Sequence, residues 1–168
     1  MGMIMQYVRI RDDELVRLRD LLTDDPDQAY DYVDELADAD ADDGPPEHSR
    51  SIDTDKAWHA MAYLLDRAGP APVDVIHGGA RMTIDEWGYD SPRYLPPEEV
   101  ARAAQYLGET PFSRLAQHYD PAAMADVYPN VWGRGDVGLD YVRGWYESLV
   151  QFFAHAAAHH DGMVVYLT

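Results

Sequence analysis

The chain contains no cysteine, only one lysine, and no apolar run of membrane-spanning length. Without cysteine there can be no disulfide, thiolate nucleophile or thiolate metal ligand. Positive charge is scarce: 13 basic residues stand against 31 acidic ones, a formal charge of −18. A field of that sign repels nucleic acid and anionic lipid, so neither is expected as a partner. The opening residues, MGMIMQYVRIRDDE, hold too short an apolar run for a signal peptide. Gly2 is followed by Gln6 where a myristoylation motif needs Ser or Thr. No apolar run approaches the length of a membrane span. These readings lead us to expect a cytoplasmic protein. One lysine beside twelve arginines, with abundant Ala and Asp, suggests a high-GC bacterial or salt-adapted genome.

What is present fits one domain over residues 1–168, long enough to bury about two-thirds of its unfolded surface. Residues 3–10 (MIMQYVRI) read as a strand. Residues 12–22 read as a helix capped by Asp12 or Asp13, with Leu15, Leu18, Leu21 and Leu22 inward. Pro26 opens a second helix on Ala29, Val33 and Leu36. Between Asp24 and Glu47 there are eleven acidic residues and no basic one. Asp38, Asp40 and Asp42 alternate as calcium ligands do. In that register, however, the sixth position is Asp43 instead of Gly and the twelfth is Ser49 instead of Glu, so no calcium site is expected. A flexible acidic loop around residues 37–50 is expected instead.

Residues 51–70 (SIDTDKAWHAMAYLLDRAGP) read as an amphipathic helix. Asp53 or Thr54 caps it, Trp58, Met61, Ala62 and Leu65 form its inner face, and Gly69-Pro70 ends it. Asp53, Asp55, Lys56 and His59 form a charged group on its first turns, open to two readings: a binding or proton-transfer cluster, or a cap with a salt-bridged turn. Residues 73–77 read as a short strand or extended segment, and residues 88–95 (GYDSPRYL) as extended. Pro96-Pro97-Glu98-Glu99 starts a helix with Val100, Ala103, Ala104 and Leu107 inward. Thr110 caps another helix and Asp120-Pro121 begins a further short one. Tyr128 and Trp132 flank a turn, either exposed for binding or covering the core.

The longest helix is expected over residues 137–160, with Leu139, Val142, Tyr146, Leu149, Phe153 and Ala156 as its stripe. His155 and His159 have a metal-compatible spacing. Ala156 nevertheless stands where an HExxH motif needs glutamate, so a solvated face is expected and no metal or cofactor is assigned. Residues 163–167 (MVVYL) close the chain as a strand. Strands at both ends with helices between predict an α+β fold, its terminal strands paired in a small sheet and its helices packed on one face.

Several stretches resemble the YfbM-like family, a bacterial family known as domain of unknown function 1877: MGMI at the start, SIDTDKAWHAMAYLL, GYDSPRYLPPEEV, the pair Tyr128-Pro129 and the closing MVVYLT. The resemblance runs through essentially the whole chain. It implies a single α+β domain and brings no established activity or catalytic residues with it. The matching stretches are where a shared site would lie: Asp53, Asp55, Lys56, Trp58 and His59, then Arg93 and Tyr94, then Tyr128 and Trp132. The acidic run belongs to no matching stretch.

Two functions follow as expectations. The first is a non-catalytic binding module for a basic protein, for instance a nuclease-type toxin masked by an immunity protein, because the charge would steer such a partner in. The second is a binder of a small anionic ligand, or an enzyme acting on one, with a pocket around Lys56, His59, Arg93 and Tyr94. No nucleophile–base pairing or GxSxG motif supports the enzyme form.

Overall fold

A computed structural model describes residues 2–39, 45 and 48–168. The expected paired ends are its centre. β1 (Met5–Ile10) and β5 (Gly162–Leu167) run antiparallel with Tyr7 opposite Val165 and Val8 opposite Val164. β2 (Ser51–Asp53) adds to the far side of β1. β4 (Arg93–Leu95) adds to β5, and β3 (Ala80–Arg81) to β4. Among the described residues the sheet order is β2-β1-β5-β4-β3, antiparallel throughout.

The helices cover both faces of this sheet, not one. Side chains alternate across a strand, so Val8, Ile10, Val164 and Tyr166 point one way and Met5, Tyr7, Met163 and Val165 the other. The first set packs against α1 (Asp12–Asp24) and α2 (Pro26–Asp38), through Leu15, Leu18, Ala29 and Val33. The second faces a larger core built by α3 (Trp58–Ala68), α4 (Pro97–Gly108), α5 (Phe112–Ala116) and α6 (Asp136–Ala158).

Several boundaries differ from expectation, each for a local reason. The central helix starts later: residues 51–53 are strand, and a 3-10 turn over Asp55–Ala57 leads into α3. Neither Asp53 nor Thr54 caps α3; Asp53 Oδ1 instead accepts from the Asp55 N–H at 2.8 Å. The N-cap of α1 is Arg11, whose N–H donates to Glu14 Oε2 at 2.9 Å. Pro111, not Thr110, precedes α5, and the Thr110 hydroxyl donates back to the Tyr106 carbonyl at 2.7 Å. Residues 73–77 form a turn instead of a strand. There Asp74 Oδ1 accepts from the N–H groups of Ile76 and His77, a side-chain bond that competes with extended structure. Residues 121–127 are successive turns, not a helix, with Met124 and Val127 buried. The acidic stretch begins as α2, capped by Asp25. Of the expected loop over 37–50, residues 37–38 instead close α2, and residues 40–44 and 46–47, with the alternating Asp40 and Asp42, lie outside the described residues.

Candidate functional site

Three segments meet at one end of the larger core: the strand-to-helix corner at residues 53–59, the turn at 128–132, and the first turns of α6. Asp55 forms the corner at φ +43°, a conformation that short polar side chains tolerate. Its Oδ2 accepts from the Tyr141 hydroxyl at 2.7 Å, and that hydroxyl accepts in turn from the Lys56 N–H at 3.2 Å. The pair fixes the corner against α6. Burial, reinforced by the Asp55 carboxylate, raises the Tyr141 pKa, so the phenol stays a neutral donor.

Trp58 anchors the next layer. Its indole N–H donates to the Met3 carbonyl at 3.0 Å, and its ring lies beside His59, His77 and Tyr128. The Tyr128 N–H donates to His59 Nδ1 at 3.1 Å, so this ring nitrogen is an acceptor. Burial, with His77 second, holds the His59 pKa below the ordinary 6.5. The Tyr128 hydroxyl accepts from the Met3 N–H at 2.8 Å. Gly2 fits because a side chain there would collide with Lys56 Cε and the Tyr128 hydroxyl. Trp132 is fully buried, with its indole donating to the Val127 carbonyl at 2.8 Å. Of the two open readings for this aromatic, it covers the core.

Beside this layer opens a cleft of about 300 Å³, lined by Lys56, Pro129, Val131, Trp132, Arg134, Val137, Gly138 and Tyr141. Its walls are aromatic and apolar. At its edges stand two cations: neither the Lys56 nor the Arg134 side chain makes an ion pair or hydrogen bond among the described residues. α6, whose first turn supplies Val137 and Gly138, begins at Gly135 without a side-chain cap. Its free N–H groups and positive dipole end therefore add to the charge of the cleft.

The sequence-derived residues therefore divide. Asp55, Lys56, Trp58, His59, Tyr128 and Trp132 assemble in this region, with Asp53 one step back holding the corner. Arg93 and Tyr94 do not join them. Consecutive residues of β4 point to opposite faces: Tyr94 packs on the α1 side, with the Arg19 guanidinium 5.8 Å from its ring centre. Arg93 lies on the other side, donating to the Gly79 carbonyl at 3.2 Å and pairing with Asp90 at 3.6 Å. The space beside it, about 30 Å³, is no larger than a single water. Of the expected pocket of Lys56, His59, Arg93 and Tyr94, only Lys56 lines the cleft: His59 packs in the layer beside it, and Arg93 and Tyr94 lie elsewhere. Tyr141 was missed because apolar periodicity marks the buried stripe of α6 and is silent about its flank; Pro129 and Arg134 were missed because they lie in the turns before that helix, where no periodicity applies. Asp55 and His59, expected in one charged group on the first turns, bond to different partners. Among the described residues no group of three or more His, Asp or Glu is placed to hold a metal ion. Among the described residues no helix is long and apolar enough to cross a membrane.

A five-stranded antiparallel sheet between two helical layers defines an α+β fold. The chain belongs to the family described as a domain of unknown function (DUF1877), whose model matches residues 1–166. It is similar to the crystal structure of YfbM from Escherichia coli, itself described as a protein of unknown function. The TM-score is 0.69 at 15% identity, over 98% of this chain and 99% of that one, a likeness of fold. No curated protein matches the chain.

Proposed function

We propose that the protein binds a small anionic ligand carrying a flat apolar portion, without chemistry on it, in the cleft between Lys56 and the first turn of α6. The observation that carries this reading is Lys56 itself. The sole lysine of a chain with 31 acidic residues stands without an acidic partner among the described residues, at the edge of an aromatic cleft. A strongly hydrated ammonium gains most when an anion meets it at a partly desolvated site. Arg134 and the uncapped start of α6 supply further donors, while Pro129, Val131, Val137 and Tyr141 supply apolar surface over the buried Trp132. The volume suits a ligand at the small end of the usual range. Tyr141, in the lining, is held as a neutral donor, and the neighbouring His59 is engaged by the Tyr128 backbone, which favours binding over proton transfer.

A thermal-shift screen of aryl phosphates and aryl carboxylates, with phenyl phosphate as the first probe, tests the reading. Lys56→Gln is expected to abolish the ligand-induced shift, and Arg93→Ala, outside the cleft, to retain it. A shift that survives Lys56→Gln, or no shift across the screen, rejects the proposal. The charge of −18 supports a second reading, a binding module for a basic protein, on a different surface.

A further inference from the structure

On the opposite helical layer, α2 and the 84–89 loop enclose a groove of about 630 Å³ lined by Pro26, Asp27, Tyr30, Asp31, Asp85, Glu86, Trp87, Gly88 and Thr168. We propose that this groove docks a basic, arginine-bearing segment of a partner protein. The proposal gives the basic-partner reading a location and is independent of the Lys56 cleft.

Three features distinguish the groove from an ordinary solvated acidic face. The first is its floor. Tyr30 and Trp87 line it edge to face, with ring centres 5.5 Å apart and buried Tyr166 packed behind both, and the exposed Tyr30 ring offers aromatic surface to whatever enters. A guanidinium stacks well on such rings. The second is its rim. Tyr30, 36% exposed, lines the groove, and Ile84 (93%) and Tyr89 (56%) flank the lining residues 85–88 on the same loop, exposed apolar side chains at its margin. The third is its charge. Asp27, Asp31 and Glu86 have no ion pair or side-chain hydrogen bond among the described residues, and Asp85 accepts only from Thr83. No basic residue lines the groove.

Together these select the occupant. The acids are too dispersed for one metal ion, since no three ligating side chains among the described residues could share one. An extended segment carrying spaced cations and apolar side chains matches both the carboxylates and the Ile84 rim. The groove is also preformed. The Trp87 N–H donates to the Asp90 carbonyl and the Tyr89 N–H to the Leu167 carbonyl, both at 2.9 Å. Gly88, at φ +89°, presses so closely on the Leu167 carbonyl that a Cβ would lie 2.7 Å from its oxygen. Pinning the loop in advance lowers the ordering cost of binding.

The test titrates the full chain with a short synthetic peptide alternating arginine and leucine, at physiological salt, following backbone amides and the Trp87 indole by NMR. Perturbation is expected at residues 27–31 and 84–88. The triple variant Asp27→Asn, Asp31→Asn, Glu86→Gln is expected to bind about tenfold more weakly. A matched variant with the same charge change elsewhere (Asp66→Asn, Asp126→Asn, Glu147→Gln) should lose less than about threefold. Ile84→Ser should lose about threefold or more. Equal losses in the two triple variants overturn the groove while leaving a general electrostatic partner standing. Spermine perturbing the same residues as tightly as the peptide, with Ile84→Ser unchanged, also overturns it, in favour of a polyamine. Neither result bears on Lys56.

Discussion

Arg9 reaches from β1 to the end of α6, where its Nε and Nη2 meet Asp161 Oδ2 at 2.8 and 2.7 Å. Both side chains are more than nine-tenths buried, and Arg9 Nη1 also donates to the carbonyls of His48 and Ser49. Removing one member of such a pair strands a charge in a low-dielectric site, whereas replacing both with apolar groups need not. Asp161→Ala is therefore expected to cost about 3–5 kcal/mol in urea unfolding, with much of that recovered in Arg9→Met/Asp161→Leu. A loss below about 1 kcal/mol would mean that the guanidinium finds water. At this scale the sequence was partly legible. Lys56 stood out by rarity and Trp58 by its place on an apolar face, and both lie at the cleft region. Nothing in sequence spacing pairs Arg9 with an acid 152 positions away, or Tyr141 with Asp55, because those meetings depend on how distant elements pack.

The elements at the chain ends were readable because a run such as MVVYL has strong strand character, and the proline–acid start of α4 is a direct helix signal. Turns were harder. Asp74 bonding to the next backbone N–H groups overrode the apolar run at residues 73–77, and residues 51–53 joined the sheet because β1 offered an open edge. The missed second helical layer has a signal that can be stated. MVVYL is apolar without alternation, the mark of a strand buried on both faces, whereas a one-faced sheet would show polar residues at every second place. It follows that Val164→Ala and Val165→Ala, which empty opposite cores, should each cost about 2 kcal/mol in chemical denaturation. In a sheet covered on one side, only one of the two would. A near-zero cost for Val164→Ala would show the α1–α2 layer to be loosely packed.

Over the whole molecule the two proposed surfaces differ in sign within a common field. At separations beyond the Debye length, about 10 Å at moderate salt, an approaching ligand is screened from individual groups, and at low salt it responds to the summed charge of −18. A basic peptide is drawn in and an anion is pushed away, even though the anion meets Lys56 and Arg134 once inside the cleft. Added salt should then act oppositely on the two association rates. For the arginine–leucine peptide the rate should fall as salt rises, because steering is screened. For an aryl phosphate it should rise, because long-range repulsion is screened before the short-range contacts are. Stopped-flow fluorescence in one buffer series measures both. An anion whose association slows with salt, in parallel with the peptide, would mean that the cations at the cleft dominate the field well outside it. The cleft would then act as a local attractor within an acidic surface, and Arg134→Gln should reverse the sign of its salt dependence.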